Sequence, residues 1–415
     1  MIKNYLPLLF ISTILLLPIN SKAQEDEKLS VTISGHIWAE SIFDTRQTVT
    51  ARDGDVLLYP EKELLDANGK DINAKANFNM LNIHSRARLI ITAPRFLNAK
   101  VTGLLEGDFV GSADDKIGLF RLRHAIVKLN WAKTELMAGQ FWHPMFTLDV
   151  YPQIVSWGGA LPYFPLERSA QLRYSYGATE NSKFSIAAST ELDFKSNGPN
   201  GPSTEYIRNS ALPEFNATYI WGLKSKFLLG ANVGYKTLKP QLSYQVGDLT
   251  FKSEESIGSY HVSLFSKIDI DKAAIRVGTI YGQNLFSFVM LGGYGVSGMN
   301  SQGEPEYTNF TVGSFWFDYD TGFIGEKTTL GIFAGYTKNY GADNTISGPV
   351  YARGTDIDFS YRISPRIIYG NGLVRFRAEV SYDNTSYGTP DANYDVKNTT
   401  NVGNVRFLFA TTLHF

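Results

Sequence analysis

Arginines recur at alternate positions within several apolar stretches of the sequence. Arg86 and Arg88 alternate with Ala87, Leu89 and Ile91, Arg121 and Arg123 with Phe120, Leu122 and Ile126, and Arg375 and Arg377 with Val374, Phe376 and Val380. Arg173, Arg276, Arg362 and Arg406 also oppose apolar neighbours. A guanidinium is a planar fork of donors that stays charged at any working pH, so it suits carboxylates and phosphates. That is the chemistry of binding and steering rather than of bond breaking. Glu40, Glu106, Asp108, Glu191, Asp358 and Glu379 are placed to pair with such cations. Two readings follow: pairs that solvate a wet interior, or a ladder of fixed charge that filters ions. Arg86, Arg88, Arg121 and Arg123 fall close together on successive strand patterns, which favours the ladder, with Glu106 and Asp108 partly offsetting it.

Reaction chemistry is poorly supplied, and no enzyme is expected. The chain has no Cys. This excludes a disulfide scaffold, Cys-ligated zinc, iron–sulfur clusters, a cysteine nucleophile and a lipidated N-terminal cysteine. There is no G-x-S-x-G elbow and no H-E-x-x-H pair. A Ser–His pair carried on a membrane wall, as a phospholipase would need, is the one arrangement that spacing leaves open. Gly293-Tyr294-Gly295-Val296-Ser297-Gly298 matches G-x-G-x-x-G, but strand patterns flank it, so it reads as an outer loop. Asp66-Ala67-Asn68-Gly69-Lys70 resembles a calcium loop only faintly, because Lys70 and the missing sixth-position Gly spoil it. Glu61, Glu63, Asp66 and Asp71 are candidates for weak calcium binding at outer loops, or for bridging to lipid headgroup sugars; no other cofactor is expected. A formal net charge of -1 gives no whole-molecule field for nucleic acid.

The elements that must carry these arginines are β-strands. Val405, Phe407, Phe409, Thr411, Leu413 and Phe415 fall on one face, and Asn404, Arg406, Ala410, Thr412 and His414 on the other, with Leu408 the exception. The same period of two recurs from Val31 to Phe43, from Phe184 to Leu192 and from Phe227 to Tyr235. A soluble sandwich also alternates. Three features favour a membrane barrel instead. The segments run to about 10 residues or more, the length of a tilted spanning strand. Trp131, Trp142, Tyr219, Trp221, Tyr281 and Tyr369 sit at segment ends, as interfacial girdles require. Short and long connections alternate: seven short ones, near 94–98, 131–133, 178–182, 222–225, 271–272, 320–325 and 370–372, and eight long ones, near 45–76, 111–118, 143–168, 195–212, 239–255, 290–306, 340–354 and 387–400. They join about 16 strands of an all-β, transmembrane antiparallel barrel, the class whose lumen admits water. An arginine facing lipid at mid-membrane costs about 2–4 kcal/mol, so the alternation turns the arginines into that lumen.

The first 23 residues read as a signal peptide, with Lys3, an apolar run ending at Pro18 and a small-x-small site at Ser21-Lys22-Ala23. Residues 24–415 are then the barrel, with 37 basic against 40 acidic residues. Both termini are expected in the periplasm. The third long loop, 143–168, is unusually apolar for a segment in water, with Phe146, Tyr151, Trp157, Tyr163 and Phe164 beside Asp149 and Glu167. It either packs at a subunit interface or folds into the barrel. The second is favoured, as a constriction that brings Asp149 and Glu167 opposite the arginines.

The runs SRARLIITAP (85–94), LLEGDFVG (104–111), FRLRHAIVKL (120–129) and MAGQFW (137–142) resemble the trimeric porins of the DcaP-like family. The final Phe415 is similar to the C-terminal signature of outer-membrane barrels, which the barrel-assembly machinery reads. The resemblance covers about 85–142; elsewhere only barrel alternation continues. It implies a homotrimer of 16-stranded channels in the outer membrane of a Gram-negative bacterium, among lipid and lipopolysaccharide. It also implies a third-loop constriction and basic lumen residues matching Arg86, Arg88, Arg121 and Arg123. The first strand begins too soon after residue 23 for the helical stalk that some members carry. The expected function is passive diffusion of small hydrophilic solutes, favouring anions such as small carboxylates. The alternatives are a plugged transporter for hydrophobic compounds and a structural or adhesive barrel.

Overall fold

The computed structural model describes residues 28–415; the expected signal peptide lies outside them. Burial shows where each face of the alternating strands turns. On Ser30–Asp44, the apolar Val31, Ile33, Ile37 and Phe43 are 39–68% exposed, whereas Glu40 and Asp44 are buried. On Val396–His414, Phe407, Phe409 and Leu413 point out, while Arg406, Ala410 and Thr412 are buried. Apolar side chains outside and polar ones inside are the inversion that a lipid-facing barrel requires. Leu408, which breaks the alternation, is turned inward and packs with Ile42, Leu81, Val110 and Val155 of the third loop.

The main sheet holds 19 strand segments. Asn77–Leu81 and Arg86–Phe96 are halves of one broken stave, since both pair with Ser30–Asp44. Gly292–Met299 and Val350–Arg353 belong to outer-loop hairpins and pair with each other. Sixteen staves remain, antiparallel and in sequence order. The first closes on the last, from His36↔His414 to Asp44↔Arg406, and Phe415 exchanges backbone hydrogen bonds with Gly35 at 2.9 and 3.1 Å. Closure leaves no edge unpaired among the sixteen staves, the condition for backbone to cross lipid.

One end of the barrel carries tight turns. Leu97 and Asn98, at φ 50° and 64°, form the left-handed pair that a two-residue hairpin needs. The other end carries the long loops. All fifteen connections lie where the alternation breaks, with one clear difference. The eighth long loop shrinks to 391–395, because Val374–Pro390 and Val396–His414 stay paired out to Pro390↔Val396. Ser386 to Pro390 have no sustained apolar face and so carry no spanning signal, yet the ladder runs on past the apolar band.

The interior is less polar than the alternation implies. Three loops fold into the lumen and build one apolar cluster with the wall. They are the first-loop hairpin Thr48–Ala51/Val56–Pro60, the third loop, and residues 285–291 of the sixth. Phe164 meets Trp316 edge-on at 5.0 Å, Leu166 N–H donates to the Phe288 carbonyl at 2.9 Å, and Phe333 packs near Tyr163 at 6.3 Å. Each fully buried large side chain of this kind contributes about 1.5–3 kcal/mol. Gly335 lies directly under Tyr163: a Cβ there would sit 2.4 Å from the ring, so only glycine lets the loop approach the wall so closely.

Candidate functional site: the loop-lined lumen

The third loop leaves the stave Thr134–Trp142, crosses the lumen and is fastened to the far wall. Trp142 stacks on Phe146 with centroids 3.8 Å apart. On the opposite side, Gln153 N–H donates to Asp318 at 3.1 Å and Val155 N–H to Glu379 at 2.7 Å. Ser314 donates to the Tyr163 carbonyl at 2.8 Å. Arg362, buried and paired with Asp383, donates to the carbonyls of Gly159 at 2.6 Å and Leu161 at 3.0 Å. The same guanidinium reaches Leu57 of the first loop at 3.1 Å. Arg406, paired with Asp44, likewise donates to Gly54 and Asp55 at 2.9 and 3.3 Å. These two inward arginines therefore hold loops, and their charge is spent on carboxylates and backbone.

The first-named arginines form a chain with the acids between them. Register sets it up: Arg86 faces Asp108, Arg88 faces Glu106, and Asp108 faces Arg121 across adjacent staves. Arg88 Nε donates to Glu106 at 2.7 Å, Arg123 bridges Glu106 and Asp108 at 2.8 Å each, and Arg121 Nε donates to Asp108 at 2.7 Å. Arg121 then reaches Asp193 at 3.2 Å, and Arg168 also pairs with Asp193. Arg86 lies 3.6 Å from Glu106. The chain thus sets five guanidinium groups against three carboxylates, and its excess charge sits at the Arg86–Arg88 end. Arg88 is 41% exposed, whereas Arg123 is 1% exposed and bonded to two carboxylates.

Under the third loop, on the side of the tight turns, lies a cavity of about 320 Å³. Arg86, Arg88, Arg123 and Arg377 line it with Trp38, Trp142 and Trp157, and no carboxylate does. Arg377 stacks over Trp38 at 5.1 Å. Neither Arg375 nor Arg377 has an ion-pair partner among the described residues. A second cavity, of about 210 Å³, shares Trp142, Phe146 and Leu148 with the first. It brings Arg173, Lys128 and Lys183 together with Asp149 and Glu135. Arg173 donates to the Trp142 carbonyl at 2.8 Å.

The acids of the third loop do not stand opposite the arginine chain. Asp149 is exposed into the second cavity. Glu167 is buried near Glu191, Glu214 and Lys236; burial first, then Glu214 and Glu191, push its carboxyl well above the usual range. The reason is geometric. The loop docks through its aromatic side chains on the far wall, which carries Glu167 to the stave joint behind them. The carboxylate that does face the chain is Asp193 on the fourth loop. Burial acts to raise it, but Arg168, Arg121 and Arg52 outweigh this and hold it below the usual carboxylate range. Asp193 and Arg168 were missed as site residues, although Asp193 continues the polar face of Ser182–Thr190 by parity. The outer acids are occupied locally: Asp66 accepts from the Lys70 and Asn68 amides at 2.9 and 2.8 Å, and Asp71 pairs with Arg46 at 3.0 Å.

No protein-family model matches the chain, and no curated protein sequence does. Solved structures do. The outer membrane channel DcaP of Acinetobacter baumannii superposes with a TM-score of 0.67 at 16% identity, over 94% of this chain and 98% of that one. An anion-selective porin from Comamonas acidovorans gives 0.55 at 10% identity, over 94% of this chain and 100% of that one. OmpT, an outer membrane protein of Vibrio cholerae, gives 0.53 at 14% identity, over 95% of this chain and 100% of that one. With its closed antiparallel wall of sixteen staves and its inward third loop, the chain has the outer-membrane porin fold and is DcaP-like in architecture.

Proposed function

We propose that the protein is a homotrimeric channel of a Gram-negative outer membrane, passing small hydrophilic solutes by diffusion and favouring anions such as small carboxylates. The tight-turn end then faces the periplasm. The observation that carries this reading is the cavity beneath the third loop, where four arginines gather without a lining carboxylate. An ion there has shed part of its water, so fixed charge acts at close range and lower effective dielectric. One structural neighbour is described as an anion-selective porin, which agrees with the sign. A plugged transporter for hydrophobic compounds draws support from the apolar loops in the lumen. However, Val150, Tyr163, Phe164 and Leu291 are buried against one another, so they make a core rather than a greasy lining.

The test is the reversal potential across a planar bilayer in a KCl gradient. The wild type should prefer chloride, and Arg88→Ser with Arg377→Ser should move the potential toward zero or reverse its sign. These two are a better choice than Arg121 and Arg123, each of which is buried between two carboxylates, whereas Arg88 meets one and is 41% exposed and Arg377 meets none among the described residues. Cation preference in the wild type would overturn the reading.

A further inference from the structure

We infer that Glu40, Asp55 and His84 form a binding site for a divalent transition-metal ion that staples the first loop to the barrel wall. One ligand atom from each lies within 4.8 Å of the others, and all three residues are buried. They come from three separate segments. Glu40 points inward from the first stave, Asp55 sits at the tip of the first-loop hairpin, and His84 lies in the break between Asn77–Leu81 and Arg86–Phe96.

Hydrogen bonding leaves this cluster short of donors. His84 Nε2 is 2.7 Å from Asp55 Oδ1 and 3.7 Å from Glu40 Oε1. Glu40 Oε2 accepts the Trp38 indole N–H at 2.8 Å, which orients the carboxylate and leaves Oε1 turned toward the imidazole. Glu40 Oε1, Asp55 Oδ2 and His84 Nδ1 are all buried and make no hydrogen bond among the described residues. A proton on Nε2 can serve one of the facing carboxylates at hydrogen-bond distance, and the other keeps a bare, buried oxygen, a costly arrangement. A dication at the centre accepts lone pairs from Nε2 and from both carboxylates, and balances their two charges. An imidazole in the set favours zinc, nickel or copper over calcium or magnesium. Three protein ligands leave a coordination position for water.

Access and support are both present. His84 lines the 320 Å³ cavity, so an ion reaches the site from the lumen. Trp38 acts behind Glu40 as an outer-shell partner. Arg406 and Arg362 hold the loop that carries Asp55 by its backbone, and Val56, Leu58 and Tyr59 hold it by apolar packing, so a bound ion adds a polar side-chain tie. The inference does not depend on what crosses the lumen, and its test reads metal content and stability rather than conductance.

The experiment uses the full chain purified in detergent, stripped with a chelator, equilibrated with zinc and desalted. About one zinc per chain should remain in the wild type, and it should fall at least about tenfold in His84→Ala and in Asp55→Asn. Both variants are checked for the heat-modifiable migration of a closed barrel. The wild-type thermal midpoint should also rise with zinc concentration. Cobalt added to stripped wild type should give visible absorption bands of a nitrogen–oxygen ligand set, a reading that needs no variant. Zinc well below one per chain, zinc retained by folded variants, or cobalt without such bands would overturn the proposal.

Discussion

Arg123 and Arg88 carry the same group but are not equivalent. Arg123 is buried between Glu106 and Asp108, while Arg88 keeps one carboxylate and an open side. Breaking a buried pair by removing one partner costs about 3–5 kcal/mol, because the other charge stays behind desolvated. Losing an exposed pair costs about 0–1 kcal/mol. Glu106→Gln should therefore lower the thermal midpoint of the barrel strongly, and Arg88→Ser hardly at all, measured by the temperature at which the folded band disappears on a gel. Parity alone was enough to turn these arginines inward. It could not tell which were free, since Arg362 and Arg406 meet Asp383 and Asp44 through strand register, which is set by the turn between neighbouring staves for the first pair and by closure of the barrel for the second.

At the scale of elements, the inward course of the third loop was legible because its aromatic content is untenable in water. The first and sixth loops carried the same signal in Val56-Leu57-Leu58-Tyr59 and Leu285-Phe286-Ser287-Phe288-Val289-Met290-Leu291. The 285–291 run reads equally well as the end of the spanning strand before it, and Val56–Tyr59 is a run of only four residues inside the long connection 45–76, so their lumen positions were hidden. Removing Val150 to Pro162 should raise single-channel conductance while the barrel stays closed; unchanged conductance would mean the loop is not the narrow point. The fourth loop joins the same assembly through Asp193. Its depressed carboxyl pKa contributes stability that is fully present above the ordinary aspartate value of 3.8 and is lost as pH falls below it through the folded value. Asp193→Asn should remove this acid sensitivity, so that proteolytic nicking of 191–213 no longer increases at low pH. Equal acid sensitivity in the variant would assign it to other carboxylates.

For the whole molecule, net charge is the wrong guide to selectivity. Acids such as Glu61 and Glu63 lie on an exposed loop in water, where fields are screened within about 8 Å at physiological salt. The arginine cavity is walled by protein. Glu61→Gln with Glu63→Gln should shift the reversal potential less than Arg88→Ser alone does, although it changes the total charge more. A larger shift from the loop pair would place the selecting charges at the mouth.

Arg362 also bears on the order of events during assembly. It contacts Gly159 and Leu57, 203 and 305 residues away, and Arg406 meets Asp55 across 351. Contacts of such separation form late, because the intervening chain must be brought together first. The first and third loops are made early, yet the arginines that hold both of them by the backbone lie on two of the last three staves, Ile357–Tyr369 and Val396–His414. Until those staves arrive, the apolar loops lack part of the wall that holds them, and the third loop has its contacts with Ser314, Trp316, Asp318 and Phe333 without the later anchors. Filling the lumen and sealing the cylinder are thus one event, and a chain stalled before its final strands would display its stickiest segments to whatever escorts it.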